Sequence, residues 1–152
     1  MSRVSFDIKK TRYVLSSVQK EQLMKQIIAI VSSHTDYAFL YVHGSFIEDV
    51  PFGDIDLALY IIEDLLPPID LTIKKEIALE VELQEKLGYP FDAHIINTAP
   101  LSFCYNVLKN GRLLYENDED IRVRFVTQTI DRYIDFLPYR KRYLKEVLGL
   151  EV

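Results

Sequence analysis

Two short apolar runs joined by a turn constrain this chain more than any other stretch: His43-Gly44-Ser45 closes the first and Asp54-Ile55-Asp56-Leu57 opens the second. Tyr37 to His43 is rich in aromatic and branched residues and short, which favours a buried strand over a helix. In a strand, residues i and i+2 share a face, roughly 6.6 Å apart at ~3.3 Å per residue, so Asp54 and Asp56 project together. Two converging carboxylates suit a hard divalent cation. Magnesium takes oxygen ligands, commonly one or two carboxylates, and fills its octahedron with waters and substrate phosphates. The pair therefore points to phosphate chemistry.

The rest of the chain must supply a core for these strands, and 152 residues suffice for one domain over 1–152 with a single core. No apolar run approaches the ~20 residues that cross a bilayer. The first residues lack the apolar stretch of a signal peptide, so a cytoplasmic protein without membrane contact is expected. The only cysteine, Cys104, sits in an apolar segment and reads as inert packing. A net charge of −5 argues against nucleic acid as the main partner, since such binding depends on Lys and Arg neutralising phosphates. The charge is also uneven. No Lys or Arg occurs between Lys25 and Lys74, whereas Arg122, Arg124, Arg132, Arg140, Lys141, Arg142 and Lys145 crowd the tail.

Residues 1–15 show no clear period and read as an irregular lead-in. Ser16 and Gln19 have the form of a capping box, and Val18, Leu23, Met24, Ile27, Ile28 and Val31 recur at helical spacing, predicting a helix to about Ser33. A second strand over 54–62 turns Ile55, Leu57, Leu59 and Ile61 to one face and Asp54, Asp56, Ala58 and Tyr60 to the other. After Pro67-Pro68, Asp70 is the expected cap of a helix ending before Gly88, with Ile73, Ile77, Val81, Leu79, Leu83 and Leu87 as its apolar face. Phe91 to Ile96 is a third strand in which Asp92 and His94 share a face. A short helix from Thr98-Pro100 towards Gly111, a short strand over 112–116 and a long helix capped by Asp118 follow, the last expected to kink or split at Pro138. The order of elements gives an α+β fold, a small mixed sheet flanked by helices, with a C-terminal helical extension over 118–152.

Gly44-Ser45, the Asp54-x-Asp56 pair and an Asp92 opening a later strand resemble the nucleotidyltransferase superfamily of DNA polymerase β. Within it, Phe91-Asp-Ala-His-Ile-Ile-Asn97, Val107 to Tyr115 and Tyr133-Ile-Asp-Phe-Leu-Pro are similar to the minimal nucleotidyltransferases called MntA. The resemblance implies a glycine-serine turn that holds the phosphates of ATP, with Gly44 and Ser45 as nucleotide-binding residues. Asp54, Asp56 and Asp92 are implied as catalytic residues and metal ligands for Mg2+, in a two-metal site. It implies transfer of AMP from ATP to a protein hydroxyl, the partner being a HEPN-type all-helical toxin that the chain silences as antitoxin.

This chain departs from that pattern in the spacer Phe46-Ile-Glu-Asp-Val-Pro-Phe-Gly53. Glu48 stands near an arginine usual in the family, Gly53 replaces a serine, and the loop is shorter. Two alternatives stay open beside the enzyme: an antitoxin that neutralises its partner by complex formation alone, and a small-molecule nucleotidyltransferase. Cations for a triphosphate are expected from Lys74, Lys75, Lys109, Arg112 or the tail cluster, which equally suits an acidic partner surface. Base preference, acceptor, metal and self-association are left open. Read singly, these features have plainer explanations: histidines on strands are commonly packing, His94 has the place to steady Asp92, and Tyr60 either lines a nucleotide pocket or fills space.

Overall fold

The computed structural model describes residues 11–150; of the irregular lead-in expected over 1–15, residues 1–10 lie outside the described residues. Four strands form one sheet in the order β3-β2-β1-β4: β1 (Tyr37–His43), β2 (Ile55–Ile61), β3 (Phe91–Ile95) and β4 (Arg112–Glu116). β1 runs antiparallel to both β2 and β4, while β2 and β3 are parallel. The end of β1 and the starts of β2 and β3 therefore meet at one border of the sheet. That border collects the glycine-serine turn and the aspartates.

Helices α1 (Ser17–Ser32) and α2 (Ile69–Leu87) serve one face; α3 (Leu101–Asn110) and α4 (Glu119–Glu146) cover the other. The alternation of β2 divides as expected: Ile55, Leu57, Leu59 and Ile61 pack with Leu23, Ile27, Val31, Leu79 and Leu83, whereas Ala58 and Tyr60 pack with Cys104, Val107 and Phe125. A register shift between Tyr37 and Phe39 lets β1 switch faces. Tyr37 enters the α1/α2 core and Phe39 the α3/α4 core, as an extra residue in one strand reverses the pleat. Tyr60 fills space: it stacks on Phe39 at 5.1 Å and donates its hydroxyl to Glu63 at 2.8 Å.

α1 begins with the expected capping box, in which Gln19 N donates to Ser16 Oγ (3.1 Å) and Ser16 N to Gln19 Oε1 (2.8 Å). Val18, placed on its apolar face by spacing, is exposed. α2 corrects two expectations. Pro68 rather than Asp70 precedes its first turn, and Asp70 lies inside that turn. Leu79 and Leu83 are buried as expected, but Ile73, Ile77 and Val81 point to solvent. The cause lies in two glutamates. Glu76 Oε2 accepts from Ile95 N and Glu80 Oε2 from Ala93 N, each at 2.7 Å, so α2 is rolled toward the outer edge of β3 and its isoleucine stripe turns away.

Asn97 holds the far end of β2, accepting from Ile61 N (2.9 Å) and donating to Ile61 O (2.8 Å). α4 is capped as expected by Asp118, which accepts from Ile121 N at 3.1 Å. It does not split at Pro138. Ile134, one turn back, is 57% exposed, so water can take the carbonyl that the missing N–H leaves without a donor. None of the described helices is long and apolar enough to cross a membrane.

Candidate active site

β1 ends at His43 and the chain turns through a short 3-10 helix, Gly44–Ile47. Gly44 adopts φ +78°, a left-handed conformation that side chains rarely take, and Asp56 Oδ2 fills the place where its Cβ would lie. Glycine is required twice over at this point. The turn can press its backbone against a carboxylate only because no side chain intervenes.

Asp56 sits opposite Asp92 in the parallel register of β2 and β3, and opposite His43 across the antiparallel pair. Burial, followed by repulsion from Asp54 and Asp92, raises the pKa of Asp56 from its ordinary 3.8 to about 6. Asp54 lies just before β2 rather than within it. His94, on the same face as Asp92, approaches it at 3.2 Å from Nε2 to Oδ2. Phe103 of α3 stands edge-on to both His43 (5.6 Å) and His94 (5.3 Å). The structure thus brings Gly44, Ser45, Asp54, Asp56 and Asp92 to one border of the sheet. His43 Nε2 is buried there without a hydrogen-bond partner, and burial holds the ring's pKa below the usual imidazole range.

The donor set fits magnesium. Among the described residues no three His, Cys, Asp or Glu side chains close on an ion by themselves, but magnesium does not need such a cage, since substrate phosphates and water complete its shell. Hard carboxylate oxygens, one of them made harder to ionise by burial and by its neighbours' charge, gain from a cation that relieves their repulsion.

Two of the expected cation sources are engaged elsewhere. Lys75 is paired with Asp36 and Arg112 with Glu21, the latter through two bonds of 2.7 and 3.2 Å. Two further cations stand beside the loop, both from before Lys25. Lys20 Nζ donates to Glu48 O at 3.1 Å, and Arg12 lies against Gly53. Spacing offered no sign of Arg12, because it falls in a stretch without period; Lys20 gave one only as a polar position of α1.

Residues 25–120 match the family model described as polymerase beta, nucleotidyltransferase. Among solved structures, the chain resembles one described as tri-AMPylated Shewanella oneidensis HEPN toxin in complex with MNT antitoxin, with TM-score 0.65, 22% identity, and 85% of this chain and 98% of that chain covered. It is similar too to a chain of the toxin-antitoxin MntA-HepT, with TM-score 0.64, 21% identity and coverage of 84% and 98%. A third resembles it equally, a toxin-antitoxin with AMP-PNP, at 0.64 and 21% with the same coverage. No curated protein matches the chain. The family match spans more than half of the sequence, over the residues that build the sheet, the glycine-serine turn and all three aspartates: the chain belongs to the DNA polymerase β family of nucleotidyltransferases.

Proposed function

We propose that this nucleotidyltransferase moves AMP from ATP to a hydroxyl of a protein partner, a HEPN-type toxin that it silences. The observation that carries the reading is the pairing of Asp56 with Asp92 in register, with Asp56 seated against the Gly44 backbone. Support for the partner comes from solved structures to which the chain is similar, one of a tri-AMPylated HEPN toxin in complex with MNT antitoxin and another of a toxin-antitoxin with AMP-PNP.

Gly44 and Ser45 hold the phosphates by backbone and hydroxyl, and Asp54 and Asp56 would hold magnesium, with Asp92 beside them. Magnesium held there would supply neutralisation of the charge that develops during transfer. The acceptor oxygen attacks the α-phosphorus and its proton passes to Asp92, whose orientation His94 fixes. The bond between the α-phosphorus and the bridging oxygen breaks, leaving AMP on the acceptor and releasing pyrophosphate. Phe103 and the two histidines wall the site on the α3 side.

The test is a transfer assay. The protein, α-labelled ATP and magnesium are incubated with a cell extract of the source, with Asp56→Asn as control. One labelled protein band that disappears with Asp56→Asn is the expected result; no labelled band in the wild-type reaction overturns transfer. Glu48 and Asp49 in the loop favour a second reading, an antitoxin that neutralises by binding alone. It predicts complex formation with the toxin that neither ATP nor Asp56→Asn changes.

A further inference from the structure

A nucleoside triphosphate brings about four negative charges to this border. The loop from the Gly44-Ser45 turn to Asp54 answers with Glu48 and Asp49 and with no Lys or Arg. Cations already committed elsewhere do not meet this need. Arg112 is held by Glu21 and Lys75 by Asp36, and Lys20 is engaged with the Glu48 carbonyl and lies over the rings of Phe46 and Phe52 at 5.4 and 5.8 Å.

Arg12 reaches the border from the other side. Its neighbour Tyr13 exchanges two backbone hydrogen bonds with Phe52, at 2.8 and 3.0 Å, and packs its ring on Phe52 and edge-on to Tyr89, with centroids 5.5 and 5.1 Å away. The segment before α1 is thereby fastened to the loop close to Asp54. The guanidinium of Arg12 lies over the backbone of Gly53: a Cβ at Gly53 would stand 3.4 Å from Nη1 and 3.9 Å from Cζ. Arg12, Gly53 and Asp54 line a cavity of about 410 Å³, whose remaining walls are Thr11, Tyr13 and Pro90. Among the described residues no carboxylate forms an ion pair with Arg12.

We propose that Arg12 is a phosphate-binding residue, its guanidinium taking oxygens of the substrate's polyphosphate in the cavity beside Asp54. The role rests on the nucleotide-transfer reading above. A planar fork of N–H donors matches a phosphate through two parallel bonds, which a lysine's point charge does not. Placed beside Asp54, it compensates charge that the loop lacks, and the Tyr13–Phe52 bridge holds the chain on which it is mounted.

Titration calorimetry with three probes separates the possibilities: inorganic tripolyphosphate, an ATP analogue with a methylene between the α- and β-phosphorus, each with magnesium, and adenosine. Arg12→Gln is expected to bind both anions about tenfold or more weakly than wild type, and Arg12→Lys to recover part of the loss. Adenosine affinity and the unfolding midpoint stay unchanged, since the side chain is exposed. Equal anion affinities in wild type and Arg12→Gln overturn the role of Arg12 while nucleotide transfer stands. An Arg12-dependent tripolyphosphate site in a protein that labels no partner upholds the phosphate site and overturns transfer. A loss that extends to adenosine makes Arg12 a structural prop and overturns the assignment; a wild type that binds none of the probes overturns both.

Discussion

Asp56 Oδ2 and the Cα of Gly44 are so close that a Cβ on Gly44 would fall well inside the 3.0 Å that real Cβ contacts essentially never breach. Gly44→Ala must therefore move the turn, the carboxylate or both, while also straining a residue at φ +78°. The expected cost is about 1–3 kcal/mol of stability and at least a roughly hundredfold loss of transfer, the scale of a 1 Å misplacement. Urea unfolding and the labelled-ATP assay read the two separately. Full transfer by Gly44→Ala would falsify the placement of the turn against Asp56.

Asp56 makes stability depend on pH. Its pKa is raised in the fold, so the folded protein holds this proton more tightly than the unfolded chain does. The contribution is complete below the unfolded value near 3.8, declines as pH rises from there through about 6, and is lost above. Asp56→Asn removes the penalty of ionising a half-buried carboxyl. It should be more stable than wild type at pH 8 by about 1–2 kcal/mol, discounted for partial solvent screening, with the advantage gone at pH 4. Thermal scans across that range check the sign, and an advantage that grows toward acid pH contradicts it.

Magnesium should act on the same group. With nucleotide present, millimolar magnesium is expected to raise the wild-type unfolding midpoint by a few degrees, as binding to the fold alone does, and to leave Asp56→Asn nearly unmoved. A midpoint indifferent to magnesium with and without ATP supports the antitoxin that works by binding alone.

The carboxylates of Glu76 and Glu80 stand in for a fifth strand beside β3. Removing either by substitution with alanine leaves an amide of the edge strand without its partner, at about 1–3 kcal/mol each where water does not replace it. Hydrogen exchange at Ala93 should quicken in Glu80→Ala and at Ile95 in Glu76→Ala, each change confined to its own amide. Unchanged protection at both would show that other groups shield the edge.

Much of this architecture is legible in the residues because local chemistry and tertiary position agree. Ser16 with Gln19 sets the start of α1, and the alternation from Asp54 to Tyr60 assigns both faces of β2. Asp92 and His94 meet on one face because a strand leaves them no choice. What periodicity does not carry is which part of a broad apolar band turns inward. On α2 that was decided by Glu76 and Glu80, which read as solvated charges until β3 supplies two N–H donors. Arg12 escaped notice for a related reason: its place depends on a bridge between Tyr13 and Phe52, a contact across the chain that no local pattern announces.

Asn97 provides a plain stability test. Its amide meets both polar groups of Ile61, whose side chain is fully buried. Asn97→Ala should cost about 2 kcal/mol, the loss of two bonds at a strand end, and should leave transfer within a few-fold of wild type because Ile61 lies at the opposite end of β2 from Asp56. A variant with native stability would mean that solvent replaces the amide at no cost.

The glutamates along β3 also limit how this molecule can meet others. An edge strand ordinarily offers a ladder of open amides on which a further strand, from a partner or from a second copy, can lay itself down. Here the donors at Ala93 and Ile95 are already taken, and an incoming backbone carbonyl would face carboxylate oxygen rather than N–H. Growth of the sheet past β3 is blocked by like polarity, which leaves side chains and helix surfaces to recognise a partner on that flank and guards the border beside Asp92 against aggregation.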